Sequence, residues 1–401
     1  MRIPYTGPLP SPVIIPKAAK TPAGAAQALT HFLSANGDAN STANRKRVLC
    51  LTGAGISVSS GLADYRGSEG TYTLNKSYRP IYYGEFVASH EARKRYWARS
   101  FLGWTNLHRA RPNVAHYAVR SLGSMDLLNC VVTQNVDSFH SMAHPDLHTY
   151  ELHGYLRSLV CIHCCTEIPR SDFQQELSHL NPAWASFLEE MLAIGALRSE
   201  NPKEREAKGL KSNPDGDVDV PNAPYTTFRY PACPTCLENP PQLADGSKAR
   251  VEVDRDGAWS PRSTAGVLKP AVVMFGESIA AAVKRAVEQA VDDSARIMIV
   301  GSSLATYSAW RLVKRAKEQG KPIAILNLGG VRGEGAFFDD IPAGNEGQAG
   351  VRCDGSASEI LPMVVEILQR TGSYNVEGTG TIHEDKADLG KHVWMGSSTP
   401  S

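Results

Sequence analysis

The chain has 401 residues, 42% of them hydrophobic, and a formal net charge of +1. This length allows one large α/β domain with insertions, or two domains. The near-neutral charge gives no reason to expect nucleic-acid or bulk membrane binding, and no apolar run approaches the length of a membrane span.

The first segment, residues 1–22, is basic and free of acidic residues; Asp38 is the first acid in the chain. Such a composition is typical of an organelle import signal, although this segment is rich in proline and holds a single arginine. A flexible tail before the helical pattern of residues 23–33 explains it equally well. We therefore expect a flexible segment that is a possible import signal to the mitochondrial matrix, the alternative being a cytosolic or nuclear protein.

A glycine-rich loop follows the first apolar strand. Residues 47–51 predict a buried strand that runs into Thr52-Gly-Ala-Gly55. Such a loop brings backbone N–H groups against a phosphate, because glycine has no Cβ and the next helix presents its positive dipole end. Val58, however, occupies the place of the third glycine, and Asp64 lies too close to be the ribose-binding acid expected about 20 residues later. The loop predicts a nucleotide bound in an unusual way, with an ordinary tight turn as the alternative.

Strands and helices then alternate on both sides of a cysteine-rich segment. We expect helical structure at residues 84–107 and a buried strand at 127–133. After the cysteines, the pattern predicts strands at 267–275, 295–300 and 322–328 and helices at 278–292, 305–319 and 358–370. This alternation predicts an α/β fold with a doubly wound parallel sheet, which binds ligands at the carboxyl ends of its strands.

These elements divide the chain into a Rossmann-like domain and a smaller module. The domain is expected to comprise residues 23–155 and 267–370, with a helical insertion at about 68–112. The module, residues 156–266, contains polar stretches at about 199–224 and 239–263 that we expect to be solvated insertions. Residues 371–401 are expected to be a disordered tail.

Four cysteines form two pairs, Cys161-x-x-Cys164 and Cys233-x-x-Cys236. Each pair can present two thiolates to one tetrahedral zinc ion, and four sulfur ligands would close the coordination shell of a structural zinc. Cys165 could replace Cys164 after a one-residue change of register. Redox-active pairs and unlinked thiols are the alternatives. This spacing indicates a metal site inside a cell rather than the disulfides of a secreted protein.

Several motifs occur in one order along the chain. They are the glycine loop, Thr133-Gln-Asn-Val-Asp137, Glu151-Leu-His-Gly154, the paired cysteines, Val272-Val-Met-Phe-Gly-Glu277, Gly301-Ser-Ser303 and Leu326-Asn-Leu328. This series resembles the sirtuins, the NAD-dependent protein-lysine deacylases, over residues 23–370. Finer features resemble the class II branch, which includes a mitochondrial member. Those features are Tyr65, Tyr96-Trp-Ala-Arg99 with Gly103-Trp104, Leu180-Asn-Pro182 and Pro214-Asp-Gly-Asp217.

The resemblance implies a deacylase that transfers an acyl group from lysine to ADP-ribose and releases nicotinamide. It implies NAD and one structural Zn²⁺ as cofactors and acylated proteins as partners, with no nucleic acid and no membrane. The implied NAD-binding residues are Gly53, Ala54 and Gly55 at the pyrophosphate, Asp64, Tyr65 and Arg66 on a mobile loop, Gln134, Asn135, Val136 and Asp137 at the nicotinamide ribose, Gly301, Ser302 and Ser303 at the adenosine ribose and phosphate, and Asn327, Leu328, Gly329 and the backbone of Cys353 at the adenosine end.

The resemblance also implies His153 and Asn135 as catalytic residues. A base must deprotonate a ribose hydroxyl, and histidine is the common side chain whose unperturbed pKa lies near neutrality. Taken alone, His153 would more often be a structural histidine. Gly154 would let the substrate backbone pass close by. The substrate would add as a strand, and the implied substrate-binding residues are Tyr96, Arg99, Val273, Phe275, Gly276 and Glu277.

Tyr96 and Arg99 are three residues apart and therefore share one helix face. Such a pair resembles the one with which some sirtuins hold the carboxylate of an acidic acyl group. We expect longer or carboxylated acyl groups to be preferred over acetyl; a surface arginine over an aromatic ring is the alternative.

Three other functions remain open. Protein ADP-ribosylation would use the same site. An NAD-dependent oxidoreductase would leave the cysteine pairs and Gly301-Ser-Ser303 unexplained. The third is a zinc-ribbon interaction module without catalysis, for which the near-neutral charge and the lack of an aromatic-basic stripe around the cysteine pairs argue against nucleic-acid binding.

Overall fold

A parallel β-sheet of six strands organises the fold. The computed structural model describes residues 7–35, 47–66, 70, 79–198, 202–212, 218–341 and 347–371. The strands in these ranges are β1 (Val48–Thr52), β2 (Leu128–Thr133), β3 (Thr149–Glu151), β4 (Gly154–Cys161), β5 (Glu167–Pro169), β6 (Lys211–Ser212), β7 (Val218–Asp219), β8 (Leu268–Val272), β9 (Arg296–Val300), β10 (Ile323–Leu326) and β11 (Gly350–Cys353).

Helices surround this sheet and build a second lobe. The α-helices in the described ranges are α1 (Pro22–Ser34), α2 (Tyr83–Ala88), α3 (His90–Arg109), α4 (Val114–Ser124), α5 (Phe139–Ala143), α6 (Arg170–Leu180), α7 (Pro182–Ala193), α8 (Pro202–Glu206), α9 (Pro234–Glu238), α10 (Ala281–Asp293), α11 (Tyr307–Glu318), α12 (Glu334–Phe338) and α13 (Ala357–Arg370). Short 3₁₀ helices lie at Lys17–Lys20, Ala54–Ser60 and Tyr225–Thr227.

The parallel sheet has the strand order β11-β10-β9-β1-β2-β3. Its central strands β1 and β9 are buried at every residue, as expected for a parallel sheet covered on both faces. The strand order reverses between β1 and β9, and Thr52 pairs with Val300 at their ends. The predicted doubly wound sheet is therefore confirmed, and its reversal point lies next to the glycine loop.

Two helical layers cover the sheet. One face packs against α1, α4 and α13 through residues such as Phe32, Val119 and Leu361. The other face packs against α10 and α11 through Val287 and Leu312. Apolar side chains on one stripe of each helix account for both layers.

The second lobe joins the predicted helical insertion to the cysteine module. Strands β5-β4-β8 form an antiparallel sheet, and its hydrophobic core includes Trp97 of α3 and Phe173 of α6. The predicted helix at 84–107 is two helices, because Ser89 interrupts it and accepts a hydrogen bond from Ala92 N. The predicted insertion at 68–112 is described from residue 79, apart from residue 70.

Two expectations about this lobe need correction. The strand expected at 267–275 does not join the parallel sheet; its observed part, β8, pairs with β4 in the smaller sheet. The insertion at 239–263 is not wholly solvated, because Trp259 is buried, donates to Ala265 O at 3.0 Å and packs under the guanidinium of Arg93. Because the stretch at 239–263 is polar overall, the sequence did not predict that Trp259 is buried. The motif at 214–217 and the tail beyond residue 371 lie outside the described residues.

The N-terminal segment also differs from the expected flexible tail. From residue 7 onward it is described, and Ile15 exchanges two backbone hydrogen bonds with Arg352 of β11, at 3.1 and 2.7 Å. An edge strand offers unpaired N–H and C=O groups, and these residues satisfy some of them. Within the described ranges, no helix combines the length and apolar character needed to cross a membrane.

Candidate functional site

A cavity of about 750 Å³ opens where β1, β2, β9 and β10 end. It lies at the reversal of strand order, where a doubly wound sheet binds its ligand. Most of the predicted NAD-binding residues line it. They are Gly53, Ala54, Gly55, Asp64, Tyr65, Arg66, Gln134, Asn135, Val136, Gly301, Ser302, Ser303, Asn327, Leu328 and Gly329.

Two glycine loops form the floor of this cavity by touching each other. Gly55 N donates to Gly301 O at 2.9 Å. A Cβ at position 55 would lie 2.8 Å from Gly301 Cα, and one at position 301 would lie 2.4 Å from Ile56 N. Gly301 also has φ of +61°, which favours glycine. The glycines are thus required by contact between the loops, in addition to any ligand they admit.

A network of polar side chains follows β2. Gln134 Nε2 donates to Ser302 Oγ at 2.7 Å, and its Oε1 accepts from Thr306 Oγ1 at 2.9 Å. Asn135 Nδ2 lies 3.2 Å from both Gly53 O and Ser57 Oγ. The ends of β1, β2 and β9 are therefore joined by side chains, which hold the cavity wall in place.

Asp137 belongs to this network but contacts Ser57 rather than the cavity wall. Ser57 Oγ donates to its Oδ2 at 2.7 Å, and Phe139 N donates to its Oδ1 at 3.0 Å. Burial raises the pKa of the Asp137 carboxyl, and these two hydrogen bonds oppose the rise. Ser57 is a residue that sequence reasoning missed.

His153 is buried at the cavity wall with both ring nitrogens engaged. Nδ1 lies 3.1 Å from Gln134 O, and a carbonyl oxygen only accepts, so Nδ1 carries the proton in the neutral ring. Nε2 lies 2.8 Å from Ser308 Oγ and accepts from that hydroxyl. Burial lowers the pKa of His153 to about 4. The imidazole is therefore neutral near pH 7, with its lone pair on Nε2. Ser308 is a second residue that the sequence did not indicate.

The segment that follows β8 is anchored to His153. Val273 N donates to His153 O at 2.8 Å, and Val273 and Phe275 line the cavity. Gly154 has φ of +74°, and a Cβ there would lie 2.1 Å from Ala271 O. Within this chain, Gly154 therefore admits β8, whereas the sequence suggested that it admits substrate.

Glu277 shapes the same segment from within. It accepts from Met274 N at 2.8 Å and lies 3.4 Å from the buried Lys269 Nζ, which also donates to Val272 O at 2.7 Å. Burial lowers the pKa of Lys269, and Glu277 opposes this. Gly276 has φ of +82° in the turn between Met274 and Glu277. Gly276 and Glu277 thus hold the segment, and Lys269 is a further residue that sequence reasoning missed.

Tyr96 and Arg99 of α3 have different recorded neighbours. Tyr96 lines the cavity. Arg99 Nη2 lies 2.8 Å from Asp219 Oδ2, and its guanidinium lies over the ring of Tyr225, 5.7 Å from the centroid. The predicted pair does share a helix, but the arginine is engaged by an acidic partner in the second lobe.

A buried arginine holds the loop after β10, which lines the cavity. Arg352 donates to the carbonyls of Asn327, at 3.0 Å, and Gly329, and forms an ion pair with Glu334 at 3.2 Å. The neighbouring Cys353 is buried in β11, and its carbonyl accepts from Asn327 N at 3.2 Å. Its backbone contact with adenine stays a prediction.

The four cysteines of the two pairs converge in the second lobe. Their Sγ atoms all lie within 4.8 Å of one another, with Cys161–Cys236 and Cys164–Cys233 separations of 3.6 Å. Tetrahedral zinc with Zn–S bonds of about 2.3 Å places its sulfurs about 3.8 Å apart, so the donor set fits a structural zinc. Cys165 is exposed and outside the cluster, which decides the register in favour of Cys164.

Comparison with known proteins places this site in a family. The Sir2 family matches residues 53–308, from the first glycine of the loop to the serine beside His153. The chain belongs to the Sir2 family. The sirtuin resemblance of the motif series is thereby confirmed.

Several relatives of this Sir2 protein are similar over most of their length. It is 40% identical over 293 residues to an NAD-dependent protein deacylase of Batrachochytrium dendrobatidis, covering 72% of this chain and 83% of the relative. It is 33% identical over 319 residues to the mitochondrial NAD-dependent protein lipoamidase sirtuin-4 of Homo sapiens, covering 80% and 82%. A solved structure of a Sir2 enzyme shares the fold, with 22% identity, a TM-score of 0.50 and coverage of 87% of this chain and 98% of the other.

Proposed function

We propose that this protein is an NAD-dependent protein-lysine deacylase whose NAD site is the cavity beyond β1 and β9. The observation that carries the proposal is the environment of His153. Its neutral imidazole lies in the cavity wall with the Nε2 lone pair held by a single hydroxyl, beside Gln134 and Asn135. Relatives named as deacylases, a lipoamidase and deacetylases support the reaction class.

The residues of this site fit a nucleotide and an acylated peptide. When bound, NAD supplies a ribose carbon from which nicotinamide can leave and to which the acyl oxygen can attach. His153 would accept a proton at Nε2, and its Nδ1–H bond to Gln134 O would stabilise the cation that forms. Asn135, itself held by Gly53 O and Ser57, would orient the ribose. Asp64, Tyr65 and Arg66 would exclude water from the nicotinamide ribose.

The peptide would be bound between the two lobes. Val273 is anchored to His153 O by its own N–H, which fixes one side of the channel next to the base. An extended peptide added to this segment would be recognised through its main chain. Because the main chain of the peptide is recognised, the acyl oxygen would point toward the ribose for peptides with different side chains next to the acylated lysine.

Mass spectrometry of products distinguishes this function from its alternatives. Wild-type protein incubated with NAD and an acyl-lysine peptide is expected to yield nicotinamide, free lysine peptide and acyl-ADP-ribose in equal amounts. ADP-ribose attached to protein, without loss of the acyl group, would instead identify an ADP-ribosyltransferase. Formation of NADH would identify an oxidoreductase.

We further propose that long acyl groups are preferred over acetyl. The cavity lining includes Tyr96 and the apolar side chains of Ile81, Leu156 and Met274, which can contact a chain longer than acetyl. Recognition of a carboxylated acyl group would require Arg99 to leave Asp219. We therefore expect kcat/KM to rise at least about tenfold from acetyl to a medium-length aliphatic acyl peptide, because each buried CH₂ contributes about 0.8 kcal/mol.

A peptide panel with two variants tests this preference. Arg99→Ala and Asp219→Asn should leave the aliphatic preference unchanged if Arg99 is structural. A glutaryl peptide that is turned over best and loses that advantage in Arg99→Ala would show that the arginine binds the acyl carboxylate. Equal turnover of acetyl and longer chains would contradict the preference for long acyl groups.

We also propose that the protein acts in the mitochondrial matrix. The support is the basic, acid-free start of the chain and the two relatives named as mitochondrial. Fractionation of cells that express the full chain with a C-terminal tag tests it. Exclusive recovery from cytosol or nucleus would contradict it.

A further inference from the structure

The N-terminal arm, residues 8–16, is fixed to the edge of the parallel sheet. Ile15 pairs antiparallel with Arg352 of β11 through two backbone hydrogen bonds. Ile14, next to it, packs against the core formed by α1, α4 and α13. Alternating side chains of an extended segment point to opposite sides, and Val13 accordingly is 69% exposed. The arm thus has a defined position relative to the sheet.

The same arm reaches the cavity. It crosses Gly330 so closely that a Cβ at position 330 would lie 2.0 Å from Pro10 O and 3.0 Å from Leu9 Cβ. Leu9 lines the cavity together with Leu328, Gly330 and Ser356. A glycine at position 330 therefore admits the arm, and the arm supplies an apolar side chain to the cavity wall.

One residue connects the arm to the loop after β10. The backbone of Arg352 pairs with Ile15, while its guanidinium holds the carbonyls of Asn327 and Gly329. The ion pair with Glu334 fixes that guanidinium. The arm and the loop at residues 327–329 consequently share Arg352 as an anchor, and both border the cavity next to β10, on the opposite side of β1 from the strand β3 that precedes His153.

We propose that Leu9 is part of the nucleotide site and covers the adenine of bound NAD. This inference rests on the proposed function, together with the placement of the adenosine beside residues 327–329 that the sirtuin resemblance implies. A purine presents a large apolar face, and a leucine side chain can bury part of it. The arm thus contributes to affinity for any ligand that carries adenosine, and it does not contribute to peptide binding or to the proton transfer at His153.

Binding of ADP-ribose to the full chain tests this contact by calorimetry. In Leu9→Ser the Kd for ADP-ribose is expected to rise about three- to tenfold, because part of one leucine side chain no longer contacts the ligand. Leu9→Met, which keeps an apolar side chain, should bind like wild type. Val13→Ser is the matched control, since it makes the same polar change at an exposed position of the same arm.

A fourth variant changes the loop residue that contacts the arm. Gly330→Ala places a Cβ against Pro10 O and should displace Leu9, with a similar loss of ADP-ribose affinity. The KM for the acylated peptide should stay unchanged in all four variants, which separates loss of a nucleotide contact from general loosening of the fold.

The possible failures are distinguishable. Wild-type protein that binds neither NAD nor ADP-ribose would overturn the proposed function and this inference with it. Wild-type binding with an unchanged Kd in Leu9→Ser would overturn this inference alone. Equal weakening by Val13→Ser, or a parallel rise of the peptide KM, would likewise overturn the direct contact by showing a general effect of the arm.

Discussion

His153 depends on its neighbours for its neutral state, in which Nε2 can accept a proton. Gln134 O fixes the proton on Nδ1, and Ser308 donates to Nε2. A hydrogen bond donated to the neutral ring disfavours the charged ring, as burial does. Ser308 is therefore a positioning residue: it aims the lone pair and helps to keep the imidazole neutral until a ribose hydroxyl replaces it.

Ser308→Ala should lower kcat about fivefold and leave the KM for NAD little changed, because one hydrogen bond of about 1 kcal/mol is lost. The pKa of His153 should rise, so the acid limb of the kcat/KM profile should move to higher pH. Ser308→Thr retains a hydroxyl and should recover most of the rate. An unchanged pH profile in Ser308→Ala would show that this hydroxyl does not act on the imidazole.

Residue types with a distinctive pattern could be predicted, and their supporting residues could not. Glycines after a strand, the four cysteines and His153 between motifs were recognisable from the sequence. Ser57, Ser308 and Lys269 were not, because a serine or lysine in isolation is compatible with many environments. Their roles arise from contacts with residues distant in the chain, such as Asp137 and His153.

Elements of the sheet were predictable because a buried parallel strand is a continuous apolar run. Residues 295–300 and 322–328 follow that pattern and form β9 and β10. β8 shows the limit, since it belongs to a mostly apolar run that also contains Lys269 and Pro270, and its partner is β4. An apolar run indicates a buried strand and does not reveal which sheet it joins. The pairing of Ile15 with β11 escaped prediction for the same reason.

The cysteine pairs tie together elements that are far apart in sequence. They connect the turn after β4 with α9, and the core of the second lobe surrounds them. Removal of the metal should therefore destabilise this lobe by several kcal/mol, since metal binding and folding are coupled. Cys236→Ser should lose the bound zinc and lower the melting temperature of the lobe, whereas Cys165→Ser, at an exposed cysteine outside the cluster, should change neither. Retention of one zinc per chain in Cys236→Ser would contradict a four-cysteine site.

Acid stability of the whole molecule should depend on a buried histidine cluster beneath the glycine loop. Thr52 Oγ1 lies 2.8 Å from His140 Nε2, and His140 Nδ1 lies 2.8 Å from His144 Nε2. The His116 ring contacts His140, with 5.0 Å between ring centroids. Burial lowers the pKa of all three histidines, to about 3 for His116, and Arg120 further lowers that of His144.

Because their folded pKa values lie below the unfolded value, the unfolded chain binds more protons between these limits. The free energy of unfolding should therefore fall as pH drops from 6.5 to 5, by about 1.6 kcal/mol from His116, and His140 and His144 should add to the fall in the same direction. Denaturant titrations at the two pH values measure it. His140→Gln should reduce this fall in the free energy of unfolding, because one buried histidine is removed. His31→Gln, at an exposed histidine, should leave the fall unchanged. Equal pH dependence in wild type and His140→Gln would contradict this account.

Deacylation in the cavity beyond the glycine loops requires His153 to act as the base. The most direct measurement is the rate of acyl-ADP-ribose formation from NAD and an acyl-lysine peptide in wild type, His153→Tyr and the surface control His179→Gln. Loss of a positioned base predicts a decrease of about 10²- to 10⁴-fold in His153→Tyr and an unchanged rate in His179→Gln. Acyl-ADP-ribose formed at the wild-type rate by His153→Tyr would contradict the account.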